Sequence, residues 1–164
     1  FCPTSNTFLG SGLFDFRTAR EASVTVGLAS DVGGGTSLSM LATMAEAYKV
    51  CRLRGQTLTP WQAFYLATLG NARVLNQADQ SGSFRPGFHA DFVVLDKDTS
   101  PALTMKQPYS HTLAETLFNL MILGDDRAIA ATAVAGEIRY QRPDSHVAPI
   151  PQPPHPVSTP AQGA

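Results

Sequence analysis

One short stretch constrains the fold more than any other: an apolar run that ends on an aspartate and a string of glycines. Val24-Thr-Val-Gly-Leu-Ala-Ser30 is β-branched and apolar, with polar residues only at Thr25 and at its end. Such a run predicts a buried strand covered on both faces, as in parallel sheets. Asp31-Val-Gly-Gly-Gly-Thr-Ser37 follows directly, a turn in which repeated glycine permits positive φ and close backbone approach. A helix is then predicted over Ser37 to Arg54, because Met40, Leu41, Met44, Ala47, Tyr48 and Cys51 step by three or four residues into one stripe. Gly55 ends it.

Other segments are read in the same way. Residues 1–13, rich in Gly, Ser, Thr and Pro, predict a loop following a strand, and 14–22 a short helix. Thr59-Pro-Trp-Gln62 has the pattern of a helix start, with Thr as N-cap, Pro in the first turn and Gln three residues on. That helix is expected to reach about Asn71. Ala90 to Asp96 predicts a strand, Thr112 to Leu123 a helix, and Ile129–Ala135 with Glu137–Tyr140 a strand pair around Gly136. The domain expectation is residues 1–78 as α/β units, 79–142 as a β-rich segment with a helix, and 143–164 as a tail. Seven of those last 22 residues are proline, which predicts an extended or disordered segment outside any packed core.

Composition excludes several classes of function. The 164 residues carry a net charge of −1 and only 15% charged side chains, so no basic surface is available for nucleic acid or an anionic membrane. No run approaches the ~18 apolar residues of a membrane span. Phe1-Cys-Pro-Thr-Ser-Asn6 is not the basic start of a signal peptide, and the expectation is of a chain that begins within something longer. Cys2 and Cys51, 49 positions apart, predict two reduced thiols in a cytoplasmic protein rather than a disulfide framework.

Asp31 is the foremost candidate for chemistry. Ligands of parallel α/β folds bind at the carboxyl ends of strands, where a carboxylate can hold a metal or act as general acid and base. The alternative is an aspartate capping the next helix, which would not require three glycines. Thr4-Ser5-Asn6 is a second polar cluster, equally explained by turn chemistry. The histidines, His89, His111, His146 and His155, are separated by 22, 35 and 9 positions, so no pair has the spacing of two metal ligands on one element. Cys2 has no histidine near it in sequence to make it a nucleophile. Asp96, Asp98, Asp125 and Asp126 read as turn and helix-stop residues.

Several of these segments together resemble the guanine deaminases. Cys2-Pro-Thr-Ser-Asn-Thr-Phe-Leu-Gly-Ser-Gly12 is similar to the segment after their seventh barrel strand. Gly27-Leu-Ala-Ser-Asp-Val-Gly-Gly-Gly-Thr-Ser-Leu-Ser-Met40 resembles their eighth strand, catalytic aspartate and glycine turn. Phe64-Tyr-Leu-Ala-Thr-Leu-Gly70, Gly87-Phe-His-Ala-Asp-Phe-Val-Val-Leu-Asp96 and Leu123-Gly-Asp-Asp-Arg127 are similar to later segments. The Pro-Gly-x-x-Ala-Asp pattern alone would indicate only the wider metal-dependent amidohydrolase superfamily.

The resemblance implies the last β/α units of a TIM-type (β/α)8 barrel plus part of a small β-sandwich, incomplete as a barrel by itself. It also implies a hydrolase that converts guanine and water to xanthine and ammonia with one zinc. Asp31 would be the zinc-contacting residue and proton carrier. The family's His-x-His pair, its other metal histidines, its acidic proton shuttle and its purine-gripping arginine belong to segments upstream of Phe1, so substrate-binding residues are expected there. The 164 residues alone are therefore expected to be inactive, and the parent enzyme to be a homodimer with no nucleic-acid or membrane partner. The alternatives are a fragment of another amidohydrolase deaminase, acting on a different purine, pyrimidine or triazine ring, or a non-catalytic remnant.

Overall fold

The computed structural model describes residues 1–143 and shows a mixed α/β arrangement. Seven helices are formed by the described residues: α1 Pro3–Leu9, α2 Phe16–Glu21, α3 Met40–Leu53, α4 Pro60–Ala67, α5 Leu69–Val74, α6 Pro101–Lys106 and α7 Leu113–Leu123. Strands β1 Phe92–Leu95, β2 Ile129–Val134 and β3 Glu137–Gln141 form one antiparallel sheet in the order β1-β2-β3. The expected tail lies outside the described residues except for Pro143. No helix among the described residues is long and apolar enough to cross a membrane.

Local chemistry accounts for most helix limits. The Ser39 hydroxyl accepts from the Ala42 N–H and starts α3 at Met40, the first residue of the apolar stripe and three residues after the expected Ser37. Thr59 and Gln62 form a full capping box on α4, and Thr112 and Glu115 another on α7. The α4 helix stops at Ala67, short of Asn71, because Thr68 leaves helical geometry and its hydroxyl turns back to the Phe64 carbonyl at 2.7 Å. Ala135 and Gly136, both at positive φ, make the two-residue turn that matches the twist of the β2–β3 hairpin. The loop expected over residues 1–13 is corrected. Pro3 opens α1 at its first position and Gly10, at φ 70°, closes it, which is the usual asymmetry of helix ends.

The strand expected at Val24–Ser30 is also corrected. The segment is extended but belongs to no sheet among the described residues, and it is not covered on both faces. Leu28 is 1% exposed whereas Val24 is 56% exposed. Apolar periodicity reports what a residue tolerates; a strand also needs neighbours that supply its ladder. One residue does so here. The Phe1 amino group donates to the Gly27 carbonyl at 2.8 Å and the Ala29 N–H donates to the Phe1 carbonyl at 3.1 Å, the bonding of a parallel pair about Leu28. The Leu28 N–H goes instead to the Leu66 carbonyl at 3.2 Å.

A single apolar cluster holds these parts together. Leu28, Leu41, Met44, Ala47, Cys51, Leu58, Ala63 and Leu66 join Leu103, Leu120, Met121 and Ala128 in it. Helices α3 and α7 meet through Tyr48 and Phe118, edge to face at 5.4 Å. The turn role read for Asp96 is only part of what that residue does. It accepts from the Asp98 N–H at 2.9 Å, but its side chain is also buried and pairs with Arg142 at 2.5 Å, tying the end of β1 to the end of β3.

Candidate active site

The extended segment and α1 meet at the start of the glycine turn, and both are anchored there. The Thr4 hydroxyl donates to the Ser30 carbonyl at 3.1 Å. On the other side, the Asn71 side-chain amide donates to the Leu28 carbonyl at 2.7 Å. Gly27 is glycine for this reason, since a Cβ there would overlap the Asn71 side chain. Asp31 therefore emerges from a backbone fixed at two successive even positions by side chains from separate helices.

The chain reverses at Asp31, which has φ 49°, a left-handed conformation that aspartate adopts more readily than most residues. Its carbonyl accepts from the Gly35 N–H at 2.5 Å and closes the turn. Each glycine answers a different demand. Gly33, at φ 105°, supplies a conformation that side chains resist, with open space about it. A Cβ on Gly34 would lie 2.8 Å from Ser5 Oγ and 3.3 Å from Asp31 Oδ2, and one on Gly35 would overlap the Ser30 carbonyl oxygen. The glycine run lets the turn lie flat against α1.

The Asp31 side chain is exposed and makes no hydrogen bond or ion pair among the described residues. It does not cap α3, because Ser39 does that. The helix-capping alternative thus fails on geometry, and the carboxylate is left free for a ligand. Of the polar cluster Thr4-Ser5-Asn6, Thr4 and Ser5 are buried against the turn, with 8% and 3% exposure.

The remaining candidates lie elsewhere. His89 and His111 are exposed. Among the described residues no three His, Cys, Asp or Glu side chains gather as a metal site. An exposed carboxylate such as that of Asp31 suits one oxygen ligand of a divalent cation, and no set of three such donors forms around it among the described residues. Cys51 is fully buried, and burial pushes its thiol pKa up, away from nucleophilic use. The surface clefts between α6 and α7, and between α4 and α7, include no residue of the Asp31 turn.

Sequence reading missed Asn71. Its only signal was a polar side chain directly after Gly70, where α5 passes close to the backbone of residue 26.

A free carboxylate thus ends the extended segment, on a glycine turn braced by a short helix. The chain belongs to the amidohydrolase family, whose model matches residues 1–139. It is 48% identical to the guanine deaminase of Escherichia coli over 142 residues, which are 87% of this chain and 32% of that protein. The solved structure of E. coli guanine deaminase superposes with a TM-score of 0.85 over 87% of this chain and 33% of that one. A guanine deaminase from C. acetobutylicum with bound guanine in the active site matches at 30% identity and TM-score 0.70, over 84% of this chain and 32% of its own. An adenosine deaminase from Xanthomonas campestris with bound Zn matches at 27% identity and TM-score 0.69, over 84% of this chain and 30% of its own. The chain spans about a third of the length of the relatives it matches.

Proposed function

We propose that these residues form the carboxyl-terminal part of a zinc-dependent guanine deaminase and supply its catalytic aspartate. The single observation that carries this reading is Asp31: a carboxylate without partners among the described residues, presented by a turn that its glycines and the Thr4 hydroxyl hold in place. The likeness to guanine deaminases over 87% of the chain supports guanine as substrate. Residues 1–78 would then be the last β/α units of a (β/α)8 barrel and 79–142 part of its β-sandwich. The parallel bonding of Phe1 beside Leu28 supports neighbouring barrel strands. The metal of the Xanthomonas relative supports zinc, and the free thiols of Cys2 and Cys51 suit a cytoplasmic enzyme. A homodimer is part of the same reading.

Zinc supplies Lewis-acid activation of water in such a site. Asp31 would contribute one oxygen ligand and move the proton. Its carboxylate accepts the proton that water loses as the C–O bond forms at the amine-bearing ring carbon. It returns that proton to the amine nitrogen as the C–N bond breaks, so that guanine and water leave as xanthine and ammonia. The remaining ligands and the purine-binding groups come from other parts of the enzyme.

The test is a chimera in which this chain replaces the matching third of the E. coli guanine deaminase. The expected result is one zinc per chimera and xanthine formed from guanine. A folded, zinc-loaded chimera that leaves guanine unchanged would remove the proposal.

A further inference from the structure

The hydroxyl of Ser5 lies beside the Asp31 turn, at Gly34. Ser5 lies in α1 with 3% of its surface exposed, and its Oγ makes no hydrogen bond among the described residues. The oxygen itself keeps contact with solvent, because Ser83 Oγ is the one fully buried side-chain polar atom left without a partner among the described residues, so the Ser5 hydroxyl is open to an acceptor. The neighbouring Thr4 shows the contrast, since its hydroxyl is committed to the Ser30 carbonyl.

The gap left by the missing side chain of Gly34 joins Ser5 to Asp31. A Cβ there would stand 2.8 Å from Ser5 Oγ and 3.3 Å from Asp31 Oδ2, so the two oxygens face the same space from opposite elements. One is a donor without an acceptor, and the other is an acceptor without a donor. The two oxygens lie no more than about 6 Å apart, and glycine at position 34 leaves the space between them clear.

We infer that Ser5 is a positioning residue, whose hydroxyl donates a hydrogen bond to the Asp31 carboxylate and fixes its orientation in the assembled active site. The inference rests on the proposed role of Asp31. A hydrogen bond of this kind holds one carboxylate oxygen and leaves the other free to receive the proton. It restrains a side chain that the turn otherwise leaves exposed to solvent.

The test compares Ser5→Ala in the complete enzyme, or in the chimera described above, with Ser5→Ala made on top of Asp31→Asn. The prediction is that Ser5→Ala alone lowers kcat about tenfold, the size of one hydrogen bond lost from the transition state. KM for guanine, zinc stoichiometry and melting temperature should stay close to wild type. In the Asp31→Asn background the same change should have little further effect on kcat, because the group it positions is already gone. An unchanged kcat, an equal proportional loss in both backgrounds, or a loss of zinc or melting temperature that accounts for the loss of rate would overturn the inference. If the parent with Ser5 and Asp31 intact does not deaminate guanine, the proposed function has failed instead, and that outcome is read before either variant.

Discussion

Asp31, Gly34 and Gly35 act as a unit, in which a charged residue is presented by neighbours that have given up their side chains. Capping and catalysis were both open for Asp31 in the sequence, with the glycine run against capping, and geometry removes capping because Ser39 starts the following helix. The glycines carried a hint of close approach, but not what they approach. Gly35 is the most exacting position, since an alanine methyl would overlap the Ser30 carbonyl oxygen. That oxygen already accepts from Thr4, so it cannot withdraw without breaking the bond. Gly35→Ala should therefore cost about 1–3 kcal/mol, the usual penalty of overpacking. Thermal unfolding measures it, and an unchanged melting temperature would show that the turn is looser than described.

At the scale of elements, the sequence was most legible where a segment carries its own instructions. Helices α3, α4 and α7 and the β2–β3 hairpin were readable from caps, stripes and a turn glycine. The segments misread were those whose state depends on partners. Val24–Ser30 has a strand's composition but borrows its hydrogen bonds from Phe1, Leu66 and Asn71. The α6 helix, six residues behind a Ser100 cap, is too short to show a period. Between α2 and α3, charge does the joining. Asp15 accepts from the Thr18 N–H, from Arg54 at 2.5 Å and from Gln56 at 2.8 Å. The Thr18 N–H, then the Arg54 guanidinium and the Gln56 amide, hold its carboxyl well below the usual carboxylate range. A depressed folded pKa gives stability that is complete above the unfolded value of about 4 and is lost as pH falls below it. Asp15→Asn should thus lower the melting temperature at pH 7, and the gap to wild type should narrow as pH falls below about 4. A gap that stays constant down to pH 2 would show that the charge contributes nothing.

Across the whole molecule, one apolar cluster spans both sides of residue 78, while the elements bordering the Asp31 turn remain uncovered. Phe8 is 68% exposed, Leu9 61%, Val32 53% and Leu38 78%, an apolar display more typical of an interaction surface than of a finished one. A catalytic zinc normally takes three protein ligands and a water, and Asp31 offers one. The 164-residue polypeptide by itself is therefore expected to self-associate, to hold less than one zinc per chain and to form no xanthine from guanine. Sedimentation and metal analysis with a xanthine assay check this, and one firmly held zinc per chain with turnover would contradict it.

The central claim is that this chain brings the proton-carrying carboxylate to a guanine deaminase site, and Asp31→Asn in the complete enzyme or the chimera tests it most directly. Asparagine keeps the size of the side chain and one oxygen but cannot accept the proton. Steady-state deamination of guanine should fall by at least about 10²–10⁴-fold, the usual loss when a general acid and base is removed, with much less change in substrate binding. A variant that stays within a few-fold of the wild-type rate would show that Asp31 is not the group that moves the proton.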